Sequence, residues 1–210
     1  MTDHIDRKEG GGFTGDTVED SEELYYDMVT RLFKAEGFHN QHDALMHAAI
    51  GISGEVGELI EAMGFVEDGS GYNKTHIVEE LGDIRFYLCA FFNICVDSQE
   101  YDVEGLKSDP VNFSPGNNRS ILLRLSVESS GVLDNVKKGW VYGKDIDLLK
   151  TLNGLYIITY LIDTLAYRLE ISTNETLRAN IIKLTGKGGR YENGYTDQAA
   201  QVRADKVDEK

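Results

Sequence analysis

Proline is nearly missing from this chain: 2 among 210 residues, Pro110 and Pro115, both inside one short stretch. Because proline breaks helix interiors, its scarcity leaves the rest of the chain free to form long helices. Cysteine is equally scarce. Cys89 and Cys95 lie six apart in an apolar helical run, a spacing that does not share a helix face, so they read as buried free thiols of a reducing compartment. Basic residues are outnumbered, Lys+Arg 21 against Asp+Glu 36, for a net charge of -15. That balance argues against nucleic acid or an anionic membrane surface as the main partner, and a phosphate ligand would need a local basic cluster or a bound metal. No apolar run approaches the roughly 18 residues of a membrane span, and the opening Met1-Thr2-Asp3-His4 lacks a signal-peptide pattern. A soluble, cytoplasmic protein is expected. GxxxxGK[ST] is also absent, which argues against an ATP motor.

What the chain does have is 41% hydrophobic residues, enough for a real core, and helical periodicity nearly throughout. An all-α helical bundle without significant sheet is expected. Its most informative stretch runs from Gly51 to Leu88. Ile52, Val56, Leu59, Ile60 and Met63 recur at helical spacing, and Glu55 and Glu58, three apart, emerge on nearly one face of that helix. Ile77, Leu81, Ile84 and Leu88 mark a second helix, on which Glu80 and Asp83 repeat the arrangement. The loop from Glu67 to Lys74 is short enough to make the two helices antiparallel neighbours.

Packed so, the helices push four carboxylates toward one spot. Like charges in a partly dry groove are costly unless neutralised, and hard divalent cations with oxygen ligands neutralise them. Glu55, Glu58, Glu80 and Asp83 therefore read as a Mg²⁺ cage, with Mn²⁺ as a substitute, and the small residues Gly54, Gly57 and Gly82 are expected to allow close approach. The alternative is a solvated acidic face. Glu79 is the ambiguous neighbour, because adjacent helical residues point different ways and the three-residue spacing favours Glu80 with Asp83.

HAAIGISGEVGELIEA followed by EELGDIRFYL resembles the ExxE…ExxD signature of the all-α nucleoside triphosphate pyrophosphatases, the MazG-like superfamily that includes the dimeric dUTPases. The resemblance implies a four- or five-helix unit that hydrolyses (d)NTP to (d)NMP and pyrophosphate with Mg²⁺, and it puts the family's metal carboxylates on Glu55, Glu58, Glu80 and Asp83.

In chain order, residues 1–20 have little to bury and read as disordered. A first helical repeat spans 21–96, where Leu24, Met28, Leu32 and Phe33 form the opening stripe and Asn40 to Asp43 restarts the chain. A linker, 97–118, carries both prolines. A second repeat, 119–195, has helices at Ile121 to Lys138, Ile146 to Ile171 and about Glu175 to Leu184, and the flexible tail 196–210 follows. His47 lies two turns before Glu55, near the same face, as a core or capping residue or a substrate contact.

Shifted by 73 residues, the chain overlays itself without gaps: Glu55 falls on Glu128, Ile60 on Leu133 and Tyr87-Leu88 on Tyr160-Leu161. Three acidic positions are changed, with Glu58 over Gly131, Glu80 over Asn153 and Asp83 over Tyr156, so the second copy could not hold a cage alone. It carries donors instead: Lys137 and Lys138, then Asn180, Lys183, Arg190 and Tyr191, a set suited to an oligophosphate. The ordinary alternative is a solvated helix end and a loose tail. These residues are similar to the family's D-x-x-K-K and N-x-x-K-L…R-Y-x-x-G elements, which implies nucleotide and phosphate binding, although the glycines between Leu184 and Arg190 depart from the family's compact spacing.

One chain would then imitate a dimer with a single composite site, leaving further homodimerisation open. The expected reaction is water attack on the α-phosphorus, with Glu55 as the base, the carboxylates holding metal and Lys137, Lys138, Lys183 and Arg190 holding pyrophosphate. Phe38, His42, Trp140 or Tyr142 could flank the base, Trp140 being equally suited to the core. Two other readings are a dUTP-restricted relative and a non-catalytic acidic binding module.

Overall fold

A computed structural model describes residues 18–33, 38–64, 72–97 and 114–202. Among these residues every regular element is a helix. In order they are α1 (Val18–Leu32), α2 (Gln41–Ala62), α3 (Lys74–Asp97), α4 (Asn118–Tyr142), α5 (Leu148–Arg168), α6 (Thr173–Thr185) and the short α7 (Asp197–Val202). The expected disordered start and most of the linker and tail, residues 1–17, 98–113 and 203–210, lie outside the described residues. No described helix is long and apolar enough to cross a membrane.

Side chains that accept from orphan backbone donors set the helix starts. Asn40 accepts from the Asp43 N–H, Asn117 from Ser120, Asp147 from Lys150 and Ser172 from Glu175, while Asn73 serves Thr75 and His76 at the start of α3. The restart expected at Asn40 to Asp43 is such a cap.

α2 and α3 form an antiparallel pair: Gln41 donates to the Ile94 carbonyl at one end, and the Asn73 N–H to the Ala62 carbonyl at the other. α4 and α5 form a second pair, tied by Asn135 to Thr151 and by Arg168 to the Gly116 carbonyl. The pairs then stack, α2 on α4 and α3 on α5, with Arg85 meeting Asp163 at 2.6 Å across the second contact. α6 and α1 close over the outer side of α3. One core runs through all of this, and the stripe of Ile77, Leu81, Ile84 and Leu88 is buried in it as expected.

Two expectations fail on packing grounds. On α1 the buried stripe is Tyr25, Met28, Val29 and Leu32, whereas Leu24 is 45% exposed. The Tyr25 hydroxyl tolerates this burial because it finds buried acceptors on α3 and α6. Close helix approach occurs at Gly82 but at neither Gly54 nor Gly57, which face open space. Gly51 supplies it on α2, lying directly under the Tyr87 ring.

Gly51→Ala, which would drive a methyl into that ring, is expected to lower stability by about 1–3 kcal/mol. Gly54→Ala, a helix-interior change with no neighbour to meet, is expected to raise it by roughly 0.5–1 kcal/mol. Urea denaturation of the two variants beside the parent checks both signs.

Candidate metal and phosphate site

Helical spacing puts Glu80 and Asp83 on one face of α3, and antiparallel packing brings Glu55 of α2 opposite them. One carboxylate oxygen from each lies within 4.8 Å of the other two. These residues alternate with core positions, Ile52 and Val56 on α2 and Ile77, Leu81 and Ile84 on α3, so the acids are drawn into the seam by the burial of their neighbours. Glu80 is only 6% exposed, and its Oε2 has no hydrogen-bond partner.

The carboxyls of Glu55 and Glu80 face each other within hydrogen-bond reach, an arrangement that favours holding a proton on the pair. Burial, followed by the hydrogen bond and the charges of Glu55, Asp83 and Glu58, pushes Glu80 up to about 9. Burial and the Asp83 charge raise Glu55 to about 7. Asp83 is also raised by burial, against the pull of Lys183. An orphaned oxygen among converging hard oxygen donors fits a divalent cation.

Cationic and amide donors arrive from α6. The Lys183 ammonium lies 2.5 Å from Glu79 Oε1 and 2.5 Å from Asp83 Oδ2, and Asn180 Nδ2 donates to Asp83 Oδ1 at 2.5 Å. Burial acts to lower the Lys183 pKa, but Asp83 and Glu79 outweigh it and raise it overall. Glu79, which spacing separated from the other acids, thus belongs with Asp83 one turn on: both hold the same lysine.

A cavity of about 240 Å³ opens beside the acids, lined by Glu55, Asp83, His47, Tyr87 and Arg190 among others. The imidazole of His47 lies 5.2 Å from the Phe33 ring, 5.4 Å from Phe38 and 5.8 Å from Tyr87, ring centre to ring centre. Burial first, then the Glu55 and Asp83 charges, pushes the Tyr87 phenol up to about 12, so it keeps its proton at neutral pH.

Arg190 and Tyr191 reach this cavity because of the glycines that break the spacing before them. Gly188 has φ 81°, and a Cβ on Gly189 would lie 2.8 Å from the Lys183 carbonyl. The folded-back turn lets the Arg190 and Tyr191 N–H groups bond the Lys183 and Leu184 carbonyls. Aromatic residues of this cavity that sequence reasoning missed, Phe33, Phe86, Tyr87 and Tyr195, carry no motif; contact across helices is what collects them.

The remaining expected site residues are elsewhere. Glu58, one turn beyond Glu55, is exposed and outside the close trio. Lys137 and Lys138 pair with Asp134 of their own helix at 3.2 and 2.6 Å, as their spacing allows. The exposed Trp140 donates from Nε1 to Asp43 at 2.6 Å. This contact sets the end of α4 beside the start of α2, about 18 Å along the helix from Glu55 at 1.5 Å per residue. Neither lysine, nor Trp140, His42 or exposed Tyr142, lines the cavity beside the acids.

No protein-family model matches the sequence, and no curated protein or solved structure is significantly similar to it.

A carboxyl whose pKa is raised in the fold holds a proton that the unfolded chain has released, so its contribution to stability falls as pH rises. The loss begins near the ordinary value of 4.5 and runs through about 7 for Glu55 and about 9 for Glu80. In metal-free buffer the melting temperature is expected to fall from pH 5 to pH 9, and Glu80→Gln is expected to flatten that fall. Scanning calorimetry of both proteins across the range measures it.

Proposed function

We propose that the chain is a Mg²⁺-dependent nucleoside triphosphate pyrophosphohydrolase, a MazG-like enzyme that converts a (d)NTP to its monophosphate and pyrophosphate. The supporting observation is the convergence of Glu55, Glu80 and Asp83, with an unpartnered buried oxygen on Glu80, at the edge of a cavity that also contains Arg190 and aromatic rings. Glu55, Glu80 and Asp83 are the residues that would hold the ion. When bound, Mg²⁺ lowers the pKa of a reacting water and offsets phosphate charge.

The chain's own groups divide the rest of the work. Glu55 lines the cavity whereas Glu80 lies behind it, so Glu55 is the carboxylate placed to take a proton from the attacking water. The water oxygen bonds to the α-phosphorus as the bond to the bridging oxygen breaks, and pyrophosphate leaves. Arg190, the cation on the cavity wall, receives its charge. Tyr87, still protonated, can donate to a phosphate or sugar oxygen, and the His47 and Phe33 rings offer an aromatic wall to a base. Asn180 and Lys183 act on Asp83 and so prepare the acidic side of the site rather than the phosphate side.

The same reading takes the chain as two tandem copies. At a shift of 73, residues 41–62 and 74–97 overlay 114–135 and 147–170, overlapping α4 and α5. The copies are complementary in chemistry: α2 and α3 bring the acids, and the stretch from α6 to Tyr191 brings the donors.

Pyrophosphate release from a panel of dNTPs and NTPs tests this directly. Release is expected with Mg²⁺ or Mn²⁺, none with EDTA, and a drop of about 10²–10⁴-fold for Glu55→Gln. Activity on dUTP alone would narrow the enzyme to a dUTP-restricted one. No release from any nucleotide would sink the enzymatic reading and leave an acidic binding module.

A further inference from the structure

We infer that Tyr25, on α1 and outside the acidic seam, is a positioning residue that holds Asp83 for metal through Asn180 and the Gly82 carbonyl. This rests on the reading of Glu55, Glu80 and Asp83 as metal ligands. Tyr25 is 4% exposed and Asn180 1%, so neither side chain exchanges partners with bulk water. The single Tyr25 hydroxyl proton is shared between two acceptors, the Gly82 carbonyl at 2.9 Å and Asn180 Oδ1 at 3.2 Å. Asn180 in turn donates from Nδ2 to Asp83 Oδ1 at 2.5 Å.

The direction of this relay follows from its ends. An ionised carboxylate only accepts, so the carboxamide must turn its NH₂ toward Asp83, which leaves its oxygen facing Tyr25. A phenol supplies the matching donor there. Burial, then the nearby Cys89 and Asp83, hold the phenol well above its usual pKa, so the proton stays in place. Without a donor at position 25, the carboxamide oxygen loses its buried partner and the amide is held from the Asp83 side alone.

Tyr25 also grips the backbone beside the ligand. Its second acceptor is the carbonyl of the residue immediately before Asp83, so one phenol fixes both the main chain entering Asp83 and the amide that orients its carboxylate. Gly82 makes this geometry attainable: a Cβ there would lie 3.0 Å from both Asn180 Cβ and the Thr176 carbonyl. Lys183, on the other Asp83 oxygen, reaches from a long flexible stem, so Asn180 is the stiffer of the two restraints. Groups that orient ligands in this way typically change metal affinity 10–100-fold when removed.

Mn²⁺ titration of the full-length chain, followed by the loss of the free-ion EPR signal, tests the relay. Tyr25→Phe is expected to weaken Mn²⁺ binding about 10-fold. In an Asn180→Ala background the same substitution is expected to cost clearly less, since only the route through the Gly82 carbonyl is left. Unchanged affinity in Tyr25→Phe, or an equal loss in both backgrounds, would overturn the relay while leaving the metal site standing. A parent chain that binds no Mn²⁺ would overturn the metal site and the relay's role with it. The Asn180 NH₂ protons, followed by NMR in the unsubstituted protein, give a check that does not depend on a variant folding. Slow solvent exchange is expected of an amide held on both sides, and fast exchange would overturn the relay.

Discussion

Three carboxyl groups share the seam between α2 and α3, and their mutual repulsion in a half-dry setting governs much of what surrounds them. Separating them would break a helix pair whose core residues alternate with the acids, so their charge has to be offset where they stand. The protein does this unevenly. Burial raises the pKa of Glu55 and Glu80 and so favours a proton on that pair, Lys183 and Asn180 serve Asp83, and Glu80 Oε2 is left with no partner. Each of the three acids thus has some compensation, and the one oxygen left over is Glu80 Oε2.

The outer elements follow from that constraint. α6 must come close enough for a short carboxamide to touch Asp83, and it does so over Gly82. α1 covers α6 and α3 with a buried tyrosine whose hydroxyl both helices need. Beyond α6, a glycine turn reverses the chain so that Arg190 lines the cavity beside the acids.

Much of the helical frame could be read directly. The stripe on α3 needed only a count of three and four, and the cap at Asn40 only its neighbours. Spacing also separated Glu79 from Glu80 and Asp83, but it could not reveal that Glu79 shares Lys183 with Asp83, since that lysine arrives from a hundred residues away. The stripe expected on α1 started at Leu24, yet Tyr25 is the buried neighbour, since burial follows hydrogen-bond partners as well as polarity. Gly54 and Gly57 look the same as Gly51 and Gly82 in a string of letters. Only the second pair has a neighbour to accommodate.

Local information determined that this chain would be helical, where its helices would start, and which acids would share a helix face, because those properties depend on neighbours within about four residues. The tertiary structure decided which donors meet those acids. It brought Asn180, Lys183 and Arg190 to them and left Lys137 and Lys138 with Asp134, because the meeting of distant side chains depends on helix crossing and on where a missing Cβ allows contact. No spacing in the sequence encodes those contacts.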